Sequence, residues 1–80
     1  MQVYNATGIP GLAGTAGDEL RGAGFTVSGV GDWQGFAVAQ SAVYYSGGEQ
    51  TAQAVGAQLG LPVVYDARVP GVVVVLASAR

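Results

Sequence analysis

The chain has 80 residues, half of them apolar, with five acids against three arginines and a net charge of −2. It contains no Cys, His or Lys, which excludes disulfides, thiolate metal sites, Ser-His and Cys-His nucleophile systems and a Schiff-base lysine. One small core is all this length can bury. No run of apolar residues approaches the ~20 that a membrane helix needs. The charge balance argues against phosphate-neutralising contacts with nucleic acid.

Gln2–Asn5 reads as a strand, with Val3 and Asn5 on one face and Tyr4 on the other. Residues 6–11 form a turn, where Pro10 suits the first helical position. Leu12, Ala13, Ala16, Leu20 and Ala23 then share one helical stripe, with Asp18, Glu19 and Arg21 largely outside it. Gly14, Gly17 and Gly22 each cost a helix about 1 kcal/mol against Ala. Packing must offset this, and small residues allow the helix to sit close to a sheet. Gly24 reads as a left-handed stop, with Phe25 folding back on the last turn.

Residues 25–30 alternate and read as a second strand, weakened by Gly29 and ended by Gly31-Asp32. Residues 32–40 are the least regular stretch. There Trp33, Phe36 and Val38 either pack over a core edge or project into solvent. Ala42–Tyr45 is the third strand, with Val43 and Tyr45 on one side and Tyr44 on the other. Ser46 and Glu49 fit a capping box for a second helix, whose inward residues are Ala52, Val55, Gly56 and Leu59. Gly60-Leu61 repeats the earlier stop, and Pro62 prevents continuation. Residues 62–66 read as a fourth strand, with Val63-Val64-Tyr65 at its centre. A turn through Pro70 leads to Val72–Leu76, an uninterrupted β-branched run typical of a central strand. The last three residues are expected to fray.

Residues 3–25 and 43–62 therefore repeat one strand-helix plan. The expected fold is α/β: a two-layer sandwich formed by residues 1–80 as a single domain, with right-handed crossovers. Both helices lie on one face of a mixed sheet and the other face is partly open. Met1 followed at once by strand-like sequence suggests a domain cut from a longer chain.

Tyr4 and Tyr44 occupy equivalent places in the two halves and point away from the helices. With Tyr65 and Trp33 they form the candidate surface for a partner or a glycan. The competing reading is that these rings only shield the sheet. Gly8-Ile9-Pro10-Gly11 leads into a helix N-terminus, where amides can hold an anion. It lacks the spacing and lysine of a P-loop, so Asn5, Gly8 and Gly11 are read as a structural turn. Asn5-Ala6-Thr7 also matches a glycosylation sequon, a coincidence if Asn5 pins that turn. Asp32 and Asp66 are the only pair of acids placed for a hydrolytic dyad, which is not expected. Residues 25–30, as a strand edge with little charge, are the place for weak self-association.

The run Val3-Tyr4-Asn5-Ala6-Thr7-Gly8-Ile9-Pro10-Gly11-Leu12-Ala13, followed by Leu20, Gly24-Phe25 and Val27, resembles the opening of the LytR C-terminal domain family. Tyr44-Tyr45, Leu59-Gly60 and the closing strand match in order, so the resemblance spans essentially the whole chain. It implies an extracytoplasmic cell-envelope domain of Gram-positive, especially actinobacterial, bacteria. In that family the domain follows a membrane anchor, alone or after a catalytic domain that attaches glycopolymers to peptidoglycan. Neither lies within these 80 residues, and the resemblance supplies no catalytic residues, cofactor or metal. The expectation is a non-catalytic envelope module that binds or scaffolds partners in cell-wall maintenance. Those partners are an envelope protein or a glycopolymer, with membrane contact only through a segment outside this chain. The alternative is a module that binds peptidoglycan or wall polysaccharide.

Overall fold

The structure, a computed structural model, describes residues 1–77; the expected fraying of the last three residues lies outside the described residues. The elements run β1 (Gln2–Asn5), α1 (Leu12–Gly22), β2 (Gly29–Asp32), β3 (Ala42–Tyr45), α2 (Glu49–Leu59), β4 (Val63–Tyr65) and β5 (Val72–Leu76). The strands form one mixed sheet in the order β2-β1-β5-β3-β4.

The β-branched run at the end of the chain thus lies in the middle of the sheet, and all five of its residues are buried. It runs parallel to β1 and antiparallel to β3. Val3, Val74 and Val43 form one row across the three strands. A half-turn about Val74 exchanges Tyr4, beside Val75, with Tyr44, beside Val73. The two strand-helix-strand halves are therefore related by a local two-fold, with β5 belonging to neither.

Both helices pack on one face, where Val3, Leu20, Val43, Val55, Val74 and Leu76 form the main core. Glycine brings each helix close to an edge strand. A Cβ at Gly17 would lie 3.0 Å from Val30 Cγ1, and one at Gly56 would overlap Val63 Cγ2. Gly14 and Gly22 have no such neighbour within 4 Å, so close packing bears on glycine at only two of these helical positions, and most sharply at Gly56.

Both helices end as their sequences predict. Gly24 has φ +94°, while its amide donates to Arg21 O at 3.0 Å and that of Phe25 to Leu20 O at 2.9 Å. Gly60 has φ +70° and Leu61 N donates to Gly56 O at 3.0 Å. These are the paired bonds of a left-handed helix stop, made complete at the first helix.

Four local expectations are corrected. The second strand is Gly29–Asp32, not residues 25–30. The Phe25 amide is consumed by the helix stop, and the chain first comes alongside β1 at Ser28, whose amide donates to Met1 O at 2.8 Å. Gly31 and Asp32 thus lie inside the strand. Pro10 is not the first helical residue: Gly11, at φ +86°, separates it from α1 as the N-cap. Ala23 is exposed at the C-cap rather than part of the buried stripe. The capping box does not form, because Gly48 is the N-cap and Glu49 the first residue of α2. Ser46 Oγ instead donates to Val69 O at 2.7 Å.

The face opposite the helices is not bare sheet. Val69, Val73 and Val75 form a second cluster, covered by Tyr4, Trp33, Phe36, Val38 and Tyr44. The irregular stretch between β2 and β3 therefore packs inward and acts as a partial second cover.

Candidate functional site

On that second face four rings form a continuous strip. Tyr4 and Trp33 have centroids 5.5 Å apart at 54°, Trp33 and Phe36 5.1 Å at 80°, and Phe36 and Tyr44 5.3 Å at 85°. Trp33 Nε1 donates to Phe36 O at 2.7 Å, closing a tight turn. A Cβ at Gly35 would collide with the indole. Trp33-Gln34-Gly35-Phe36 is thus a compact unit that folds its two large rings onto the sheet. All four rings of the strip are half-buried.

Arg68 completes the strip from the loop after β4. Its guanidinium carbon lies 3.7 Å from the Phe36 ring centroid, a favourable cation–π position. Asp66 holds it there: Arg68 Nε donates to Asp66 Oδ1 at 2.9 Å and Arg68 Nη2 to Oδ2 at 2.7 Å. The Arg68 side chain, and then its backbone amide, hold the Asp66 carboxyl below its usual pKa. Phe36 and Arg68 are the strip members that sequence reasoning missed. The Trp-x-Gly-Phe spacing was a usable signal for the first, but nothing local marks the second.

Of the four residues predicted for this surface, Tyr4, Tyr44 and Trp33 come together and Tyr65 does not. Tyr65 pairs in register with Tyr45, so it lies on the helix side. There its ring stands 5.5 Å from that of Tyr45 and is 61% exposed. Burial, and next the Glu49 carboxylate, raise the pKa of the Tyr45 phenol.

Asn5 organises the β1–α1 loop. Its Oδ1 accepts from Thr7 N at 2.8 Å and Thr7 Oγ1 at 2.6 Å, and its Nδ2 donates to Ile9 O. Thr7 Oγ1 in turn accepts from Ile9 N at 2.9 Å. Gly8 and Gly11 both take positive φ in this loop. With its side chain buried and its amide nitrogen engaged, Asn5 is not presented as a glycosylation acceptor.

Asp32 and Asp66 cannot act as a dyad. They sit at opposite edges of the sheet, about 19 Å apart across four strand spacings, and at opposite ends, because β3 and β4 run against β1 and β2. Among the described residues no group of three or more acids could hold a metal ion. No helix among them is long and apolar enough to cross a membrane.

A cleft of about 530 Å³ opens between the β1–α1 loop and the end of β2, lined by Ile9, Pro10, Val30, Asp32 and Trp33 among others. A second, of about 510 Å³, lies beside the N-terminus of α2, between Met1, Phe25, Thr51 and Val72.

Residues 1–79 match the LytR_C family, described as LytR cell envelope-related transcriptional attenuator. The chain is 42% identical over 85 residues to the Vesiculogenesis and immune response regulator of Mycobacterium tuberculosis (strain ATCC 25618 / H37Rv). That match covers 95% of this chain and 51% of the relative, so the chain spans about half of it. The fold is similar to the solution structure of the C-terminal domain of RV0431, with a TM-score of 0.72 and 40% identity. That similarity covers 96% of this chain and 70% of the other. On the match along nearly its whole length, the chain belongs to the LytR_C family of cell-envelope-related domains.

Proposed function

We propose that this envelope-associated domain is a non-catalytic, extracytoplasmic module that binds or scaffolds an envelope partner in cell-wall maintenance. The observation that supports this reading is the pre-assembled strip Tyr4–Trp33–Phe36–Tyr44 with Arg68 across one end. Half-exposed aromatics beside an arginine are the residue types that anchor protein interfaces. They are already fixed by the turn at Gly35 and the Asp66 clasp, so little ordering entropy is lost on binding. The name of the mycobacterial relative, a regulator, is in keeping with a role in control rather than chemistry.

A protein partner fits better than stacking on sugar. The rings meet at 80° and 85° along most of the strip, and Arg68 already covers Phe36. No flat platform of parallel ring faces is offered to a glycan. The test is amide shift mapping of the ¹⁵N-labelled chain with solubilised envelope proteins and, separately, with solubilised wall fragments. Saturable shifts at Trp33, Phe36, Tyr44 and Arg68 with an envelope protein support the reading. Shifts there with wall fragments alone favour the glycan alternative, and no shift with either rejects both.

A further inference from the structure

Two of the four exposed large hydrophobic residues among those described, Ile9 and Val30, each 46% exposed, line one cleft. The cleft runs along β2, which has a strand neighbour on one side only. Val30 and Asp32 are two residues apart in that strand and share the face toward α1, as the approach of Val30 to Gly17 shows. Gly29 and Gly31 alternate with them and leave the other face of the edge almost without side chains.

The Asp32 carboxylate has no hydrogen bond or ion pair among the described residues and is the only ionisable side chain lining the cleft. The Thr7 and Ile9 amides of the opposite wall are spent on Asn5 and Thr7, so that wall gives an anion little to hold. Its rigidity comes from the same bonds. The result is an unguarded strand edge beside a fixed apolar wall, with one negative charge at its end.

We infer that the β2 edge and its cleft bind an extended peptide by strand addition. The peptide carries an apolar residue and a Lys or Arg two positions apart. Backbone pairing along Gly29–Asp32 supplies the main attachment. The apolar side chain lies between Ile9 and Val30, and the basic one reaches Asp32; the two-residue spacing of peptide and strand puts both on the same face. This site adjoins the aromatic strip at Trp33, which lines both, but uses the β2 backbone, Ile9, Val30 and Asp32 rather than the strip's other rings.

The test uses the capped peptide acetyl-Thr-Lys-Thr-Val-Thr-Lys-Thr-amide, which presents the pattern in either strand direction, titrated into the ¹⁵N-labelled 80-residue chain. Saturable shifts at Ile9 and Gly29–Asp32 are expected, with a dissociation constant on the order of millimolar. Asp32→Asn, at an exposed side chain, should leave the rest of the spectrum unchanged and weaken binding about fivefold. A peptide with Glu for both lysines, and one with Pro for the threonines flanking Val, should not bind. Absence of saturation, or equal binding of these control peptides, overturns the proposal. So do shifts confined to Trp33, Phe36 and Tyr44. Concentration-dependent shifts of the same β2 amides without peptide overturn it in favour of a second copy. Stronger binding there by N,N′-diacetylchitobiose overturns it in favour of a sugar.

Discussion

Tyr4 and Tyr44 stand on opposite flanks of β5, in register with Val75 and Val73, and are bridged by Trp33 and Phe36. The two halves of the chain contribute one tyrosine each, but the bridging rings come from the irregular segment between them. Removing a bridging ring therefore separates the flanks. Phe36→Ala should lower stability by about 2–3 kcal/mol, just below the ~3–5 kcal/mol for deleting a fully buried aromatic ring, since Phe36 is only half-buried. Chemical denaturation with urea measures it, and a loss below about 0.5 kcal/mol, the size of an ordinary surface change, would mean the ring only decorates the surface.

Glycine-to-alanine changes should split by sign. Gly56→Ala places a methyl group against Val63 Cγ2 and the Leu61 carbonyl, with an expected cost of about 1–3 kcal/mol from overpacking. Gly14→Ala meets nothing within 4 Å and should gain about 0.5–1 kcal/mol from helix propensity. Thermal melts of the two variants should therefore move in opposite directions.

Asn5→Ala deletes the hub that receives Thr7 and holds Ile9 O. The Thr7 amide loses its acceptor and the carbonyl of Ile9 its donor. At about 1 kcal/mol per bond, the loss should be about 2–3 kcal/mol. Amide exchange at Thr7 and Ile9 should rise, while exchange in β3 at a given distance from the melting point should not.

The Asp66–Arg68 clasp sets an acid limit. The Asp66 carboxyl has its pKa lowered in the folded chain, first by the Arg68 side chain. Its contribution is therefore present above the unfolded carboxylate pKa and is lost as pH falls below about 3.8 through the folded value. Melting curves from pH 6 to pH 2 should show a decline in that window that is smaller in Asp66→Asn. Identical acid profiles for the two chains would remove the clasp from the account.

Much of this fold was legible because its signals are local. The β-branched run of β5 marks a central strand wherever the chain places it. Gly24-Phe25 and Gly60-Leu61 carry their helix stops in two residues each. What was not legible depends on neighbours. The alternation of Phe25 and Val27 imitates a strand, yet it arises because Val27 is buried against the helix layer before pairing with β1 begins. Ser46 has the chemistry of a cap, but it lies two residues before the actual N-cap, Gly48, and its hydroxyl donates to Val69 O from there. At the candidate site, Tyr4 and Tyr44 could be placed by their equivalence in the two halves. Tyr65 could not, because a three-residue strand has too little alternation to show which way it faces; its pairing with β3 decides that.

The strand at the centre of the sheet is the last described strand to be synthesised. Until residues 72–76 have left the ribosome, β1 and β3 have nothing between them, and the Tyr4 and Tyr44 flanks have no common floor. The molecule is assembled around a late-arriving middle, so its native pairings join opposite ends of the chain and its folding should be slow for its size. A break after Arg68 would remove the keystone rather than the rim, and two half-domains with no shared ridge would remain.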